Sequence, residues 1–122
     1  MASGPKTVLI VDDDITTAQT HKDFLEKNGY LVTVIDDGEL AVEAANRAQP
    51  DVILLDIIMP KIDGFTVAKQ LRFHEGTRHI PIIICSAQTE MKDLFAIEGI
   101  DDYLVKPVDQ QELLALVRRR AG

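Results

Sequence analysis

The chain has 122 residues, of which 46% are hydrophobic and 27% are charged, and its formal net charge at pH 7 is −7. This size and mixture are typical of one globular domain with a hydrophobic core and argue against a disordered chain. The negative charge argues against non-specific nucleic-acid binding, because such binding needs a basic face that displaces counterions.

Short, continuous apolar runs mark the predicted strands. A loose N-terminal arm at residues 1–6, too short and polar for a signal peptide, precedes the first of them. Runs that are rich in branched residues and do not alternate are typical of parallel strands covered on both faces. A more mixed run at residues 31–35 predicts a strand at an edge of the sheet. The four continuous runs are residues 8–11, 52–55, 82–85 and 103–105.

Helical segments separate the runs, and several follow an aspartate that can cap them. Asp14 precedes a helix with an apolar stripe, and Gly29 follows as its stop. Asp63 and Asp109 precede two later helices, and an alanine-rich helix is predicted within residues 38–48. Strand and helix thus alternate five times along the chain. This alternation predicts an α/β fold, a doubly wound five-stranded parallel sheet with helices on both faces.

Polar side chains follow the apolar runs at the predicted strand ends. Residues 12–14 are all aspartate, and Asp56, Ser86 and Lys106 follow the third, fourth and fifth strands. Because the carboxyl ends of parallel strands meet at one edge, we expect these residues to converge. Carboxylates held together repel one another, and a divalent cation with oxygen ligands, magnesium rather than zinc, relieves the repulsion. Donors around Asp56 can neutralise a phosphoryl group, so Asp56 is the predicted nucleophile.

These motifs resemble the receiver domain of two-component response regulators over nearly the whole chain after the arm. The matching segments are VLIVDDD at 8–14, DIIMP at 56–60, Asp63-Gly64, Ser86-Ala87 and GIDDYLVKP at 99–107. The resemblance implies a single receiver domain over residues 1–122 with strand order 2-1-3-4-5. It also implies a phosphoacceptor signalling domain that catalyses only its own phosphorylation and dephosphorylation, and is not otherwise an enzyme.

The resemblance further implies a role for each acidic residue of the site. Asp56 is expected to be the phosphoacceptor. The direct magnesium ligands are expected to be Asp13, Asp56 and the backbone carbonyl of Ile58, with Asp12 acting through a metal-bound water.

Other implied roles concern the response to the phosphoryl group. Ser86 and Lys106 are expected to contact that group. Tyr103 is expected to be an aromatic switch that turns inward when Ser86 moves. The Lys106–Pro107 bond is expected to be a cis peptide, an isomer that is plausible only because proline follows.

The implied partners are a sensor histidine kinase or a phosphotransfer protein, with a possible homodimer through the fourth helix, fifth strand and last helix. No membrane contact and no direct nucleic-acid contact by this domain are expected. The segment between Ser86 and Gly99 is about one or two residues shorter than is usual in the family, which predicts a short or irregular fourth helix. The single cysteine, Cys85, suits a reducing compartment, so a cytoplasmic location is expected.

Three alternative functions compete with this interpretation. The tract DDDIT at 12–16 satisfies the first motif of haloacid-dehalogenase-type phosphatases, but only Asp109 and Glu112 follow the lysine, and Asp56 would have no role. A flavodoxin-like flavin binder needs a hydroxyl- and glycine-rich phosphate loop where this chain has three acids. A degenerate receiver that acts only as an interaction domain would not need the complete site.

Two further residues have predicted structural roles. His21 lies on the apolar stripe of the first helix, which predicts a partly buried structural histidine. Cys85 is predicted to be a small core residue.

Overall fold

The computed structural model describes residues 4–57, 62–100 and 102–121, in which strands and helices alternate as predicted. The strands are β1 (Thr7–Val11), β2 (Leu31–Ile35), β3 (Val52–Asp56), β4 (Ile82–Ser86) and β5 (Asp102–Val105). The helices are α1 (Ile15–Lys27), α2 (Ala41–Ala48), α3 (Gly64–Phe73), α4 (Lys92–Ile97) and α5 (Gln110–Ala121), with a 3₁₀ turn at Gly38–Leu40. The predicted helix at 38–48 is therefore a 3₁₀ turn followed by an α-helix.

The strands form one parallel sheet in the order β2-β1-β3-β4-β5. The predicted fold and strand order are therefore confirmed. Every residue of β3 and β4 is buried, which explains why these runs are continuously apolar. The mixed run at 31–35 is β2 and lies at an edge of the sheet, as its composition predicts.

Helices cover both faces of the sheet and enclose two hydrophobic cores. Successive residues of a strand point to opposite faces, so neighbours in sequence enter different cores. Leu9 and Ile84 pack in the core beneath α2, α3 and α4. Val8 and Ile83 pack in the core beneath α1 and α5.

Aspartate caps begin three helices, as predicted. Oδ1 of Asp14 accepts a hydrogen bond from the backbone N–H of Thr17 at 3.2 Å, and Oδ1 of Asp63 accepts one from Thr66 at 2.8 Å. Oδ1 of Asp109 accepts one from the second residue of α5 at 2.8 Å. These bonds satisfy free amides of the first helical turns. They also fix how each helix leaves the strand edge that carries the candidate site.

The fourth helix is short, as predicted. It has six residues and begins without a side-chain cap. Its inner side is anchored by the fully buried Phe95, whereas Leu94 and Ile97 are 45% and 78% exposed. Within the described ranges, none of the helices has the length and apolar character needed to cross a bilayer.

Candidate functional site

Carboxylates from the ends of β1 and β3 meet at the carboxyl edge of the sheet. Oxygen atoms of Asp12, Asp13 and Asp56 all lie within 4.8 Å of one another. Asp12 and Asp56 are only 3% and 7% exposed, and Asp13 is more exposed. The two strands are adjacent, with Val11 opposite Leu55, so their ends reach the same level. The structure thus brings together three acids that the sequence places after two separate apolar runs.

Lys106, from the end of β5, supplies positive charge beside these acids. Its Nζ lies 3.1 Å from Oδ1 of Asp56 and 3.7 Å from Oδ2 of Asp12. Burial by itself lowers the pKa of Lys106, but the two carboxylates together outweigh burial and hold the pKa above its ordinary value. The ammonium group therefore stays charged and holds the two strand ends together.

The pKa of Asp12 is perturbed upward. Burial raises it to about 6; a hydrogen bond to Oδ1 from the backbone N–H of Asp14, at 2.9 Å, opposes this rise. The charge of Asp56 adds to the rise, and Lys106 opposes it. The cluster has three carboxyl groups and a single ammonium group beside them. Such a set of crowded carboxylate oxygens fits a hard divalent cation, and Asp12, Asp13 and Asp56 are the residues that could hold one.

The two predicted switch residues, Ser86 and Tyr103, meet at the backbone of Gln88. Ser86 is 1% exposed, and its Oγ accepts a hydrogen bond from the N–H of Gln88 at 3.0 Å. The hydroxyl group of Tyr103 donates to the carbonyl of Gln88. Its ring is half-buried and tilted against Phe95, with 6.0 Å between centroids. Burial raises the pKa of Tyr103, and the nearby Ser86 hydroxyl opposes this shift.

Two further predicted features lie near the cluster. The Lys106–Pro107 peptide bond is cis, the isomer that the resemblance implies. Residues 58–61 lie outside the described residues, so the expected metal ligand, the carbonyl of Ile58, stays a prediction.

The sequence predicts only a turn or cap role for Gly64, but the structure places this glycine against the backbone of the site. Its backbone N–H donates to the carbonyl of Ile57 at 2.6 Å. A Cβ atom at Gly64 would lie 2.4 Å from both the carbonyl oxygen of Asp56 and the Cα of Ile57. The first turn of α3 therefore packs directly on the backbone that carries Asp56. A glycine directly after the capping Asp63 is the sequence feature that could have indicated this approach.

Cys85 is buried one residue before Ser86, and its strand neighbour on β3 is Asp56. Burial raises the pKa of its thiol from 9.0 to about 12. Because the thiolate is the reactive form, we expect native protein at about pH 8 to react with iodoacetamide at least roughly a hundredfold more slowly than guanidinium-unfolded protein. Mass spectrometry of timed samples measures both rates. Equal rates in the two states would contradict the prediction.

Comparison with known proteins identifies the family. The model of the response regulator receiver domain matches residues 8–118, and the chain belongs to this family. The DNA-binding dual master transcriptional regulator RpaA of Synechocystis is 42% identical over 113 residues, which cover 91% of this chain and 47% of RpaA. The chain spans about half the length of the curated relatives it matches.

Solved structures agree with this assignment. A response regulator from Chloroflexus aurantiacus superposes with a TM-score of 0.90 at 37% identity, covering 96% of this chain and 98% of that one. The receiver domain of a sensor histidine kinase from Pseudomonas aeruginosa, which has a magnesium ion in its active site cleft, gives 0.87 at 32% identity, with coverages of 98% and 99%. This chain is thus a receiver domain, a phosphoacceptor signalling domain of the two-component type.

Proposed function

We propose that the domain accepts a phosphoryl group on Asp56 from a histidine of a sensor kinase or phosphotransfer protein, in a magnesium-dependent step. The observation that carries this proposal is the convergence of three carboxylates and one ammonium group at one strand edge. Asp56 stands among them, with Lys106 3.1 Å away and oxygens of Asp12 and Asp13 within 4.8 Å. Of the three acids, Asp56 is the one that ends β3, the central strand of the sheet.

In the proposed reaction, a carboxylate oxygen of Asp56 attacks phosphorus, and the donor imidazole leaves with the electron pair of the broken P–N bond. Lys106 has a flexible stem and can turn its ammonium group from Asp56 to a phosphoryl oxygen. The Ser86 hydroxyl group is proposed to donate to another oxygen. A magnesium ion held by Asp13, Asp56 and the carbonyl of Ile58, with Asp12 through a water, would supply further charge neutralisation.

The same residues would assist hydrolysis of the aspartyl phosphate, so the domain would catalyse only reactions of its own phosphoryl group. The proposal is tested by incubating purified protein with acetyl phosphate and magnesium and measuring intact mass. The protein should gain one phosphoryl group, and chelation of the metal should prevent the gain. Folded protein that gains no mass under these conditions would contradict the proposal.

Asp13→Ala is expected to weaken magnesium binding at least about tenfold, because it removes a proposed direct ligand. The metal-free variant should be as stable as the parent or slightly more stable, since one of several repelling carboxylates is gone. Calorimetric titration measures the affinity, and urea unfolding measures stability. Asp14→Asn is the control, because Asp14 lies in the same turn but caps α1. Equal magnesium affinity in Asp13→Ala and the parent would contradict the proposal that Asp13 is a magnesium ligand.

We propose that phosphorylation alters the surface formed by α4, β5 and α5. Support comes from Gln88, which binds both Ser86 and Tyr103 at the start of the segment that leads to α4. A Ser86 hydroxyl group drawn to the phosphoryl group would release one of these bonds and let Tyr103 turn further inward. Exposed Ile97 and Val105, at 78% and 44%, give the surface an apolar component suited to a homodimer or partner.

The switch is tested by comparing amide chemical shifts of the free and beryllofluoride-bound protein. Changes should reach Tyr103 and residues 113–117 of α5, and sedimentation should reveal any coupled self-association. Changes that stop at the neighbours of Asp56 would show that the switch proposal is wrong.

The remaining proposals concern the context of the domain. We propose that residues 1–122 form a single receiver domain with a loose arm at 1–6. The free thiol of Cys85 suits a reducing compartment, which supports a cytoplasmic location. The net charge of −7 supports the absence of direct nucleic-acid contact by this domain. In DNA-binding relatives such as RpaA, DNA contact would then belong to the half that this chain does not match.

A further inference from the structure

A row of three aromatic rings crosses the core beneath α3 and α4. The rings of Phe65 and Phe95 meet edge to face, with 5.2 Å between their centroids. The ring of Phe95 also contacts the ring of Tyr103, at 6.0 Å between centroids. All three side chains pack in the same hydrophobic core. Phe95, from α4, is therefore the shared neighbour of one ring from α3 and one ring from β5.

The α3 end of the row is held against the strand end that carries Asp56. Phe65 directly follows Gly64, whose backbone N–H donates to the carbonyl of Ile57 at 2.6 Å. Gly64 also lies so close to the carbonyl oxygen of Asp56 that a Cβ atom would be only 2.4 Å from it. Because this contact is tight, a movement of the strand end would displace the first turn of α3, and the ring of Phe65 with it.

The β5 end of the row is the ring of Tyr103, the predicted switch residue. Its hydroxyl group donates to the carbonyl of Gln88, so the position of the ring and this hydrogen bond depend on each other. Phe95 is fully buried, and its ring has no solvent into which it can move. In a close-packed core, a shift of Phe95 is therefore passed on to the side chains that it contacts, and Tyr103 is one of them.

We propose that this aromatic row is a second connection between Asp56 and Tyr103, in which Phe65 and Phe95 are positioning residues for the tyrosine ring. The first connection uses hydrogen bonds at the backbone of Gln88, whereas the second uses packing through α3. It extends the proposed switch and rests on that proposed function for its role in signalling. It also adds the first turn of α3 to the elements whose position depends on the state of Asp56.

The test uses unphosphorylated protein, so a failure of phosphoryl transfer cannot be mistaken for a failure of the connection. Gly64→Ala should displace the first turn of α3 and shift the ring ¹H–¹³C signals of Tyr103. When both proteins also carry Phe65→Leu, which removes the ring contact with Phe95, the shift caused by Gly64→Ala should fall to less than about a third. Equal shifts with and without Phe65→Leu, or no shift in Gly64→Ala, would overturn the proposal.

Two controls separate the connection from general disturbance of the fold. Tyr30 is the other of the two tyrosines and packs in the opposite core, so its ring signals should not change. Phe73→Leu alters a ring of the same helix that is 76% exposed, and it should leave the Tyr103 signals in place. If Gly64→Ala does not fold, Phe65→Leu alone decides. It should shift the Tyr103 signals, and unchanged signals in it would overturn the proposal.

Discussion

Asp56→Asn is expected to abolish phosphorylation by acetyl phosphate. The amide keeps the shape of the side chain, and its oxygen can still accept a hydrogen bond from Lys106. In the parent protein, Nζ of Lys106 lies 3.1 Å from Oδ1 of Asp56. It lacks the negative charge that makes the carboxylate a nucleophile. The fold should persist, because the strand end remains paired with β1 and β4. Intact-mass measurement after incubation with acetyl phosphate and magnesium gives the result directly.

The matched control is Asp14→Asn, which removes one aspartate charge from the same edge of the sheet. Asp14 is exposed, and its side chain caps α1 by accepting from Thr17. Asparagine caps helices about as well as aspartate, so this variant should be phosphorylated at the parent rate. Stable labelling of Asp56→Asn at the parent rate would refute the assignment of the phosphoacceptor.

Gly64→Ala is expected to destabilise the domain by about 1–3 kcal/mol, the usual cost of forcing extra volume into a packed site. The added Cβ would lie 2.4 Å from the carbonyl oxygen of Asp56 and from the Cα of Ile57, and neither backbone atom can rotate away. Helix propensity favours alanine over glycine by up to about 1 kcal/mol, so a net loss means that the clash dominates. The amide shift of Asp56 should change, and phosphorylation should slow, because the strand end must move.

Gly76→Ala is the control for Gly64→Ala, because the atom nearest to its added Cβ belongs to a flexible side chain. Its Cβ would lie 2.0 Å from Oδ1 of Asn46, the end of a flexible side chain that can turn aside. Urea unfolding should therefore show a smaller cost for this variant than for Gly64→Ala. A Gly64→Ala protein with parent stability and an unchanged Asp56 amide shift would contradict the proposed contact.

Much of the fold could be predicted because its determinants are local. Continuous apolar runs become interior strands, since a strand covered on both faces must be apolar at every position. Asp14 and Asp63 could be assigned as caps because a cap bonds amides only three residues ahead. The parallel sheet then places the end of every strand at one edge, so the meeting of Asp12, Asp56 and Lys106 follows from the alternation of strand and helix.

Contacts between distant segments could not be predicted in the same way. The sequence predicts one helix within residues 38–48, whereas the structure has a 3₁₀ turn followed by α2. Ser86 and Tyr103 both form hydrogen bonds with the backbone of Gln88, and Tyr103 lies 15 residues from Gln88 in the sequence. No periodicity or capping motif encodes such pairs.

The sequence by itself determined the order of strands and helices, the helix caps and the residue types at the edge of the sheet, because each depends on neighbours within a few positions. Only the tertiary structure decided how closely α3 approaches Asp56 at Gly64, and that Ser86 and Tyr103 both bind the backbone of Gln88. Those features depend on small differences in the distances between packed elements. Such distances follow from the shape of the whole core and not from any short stretch of the chain.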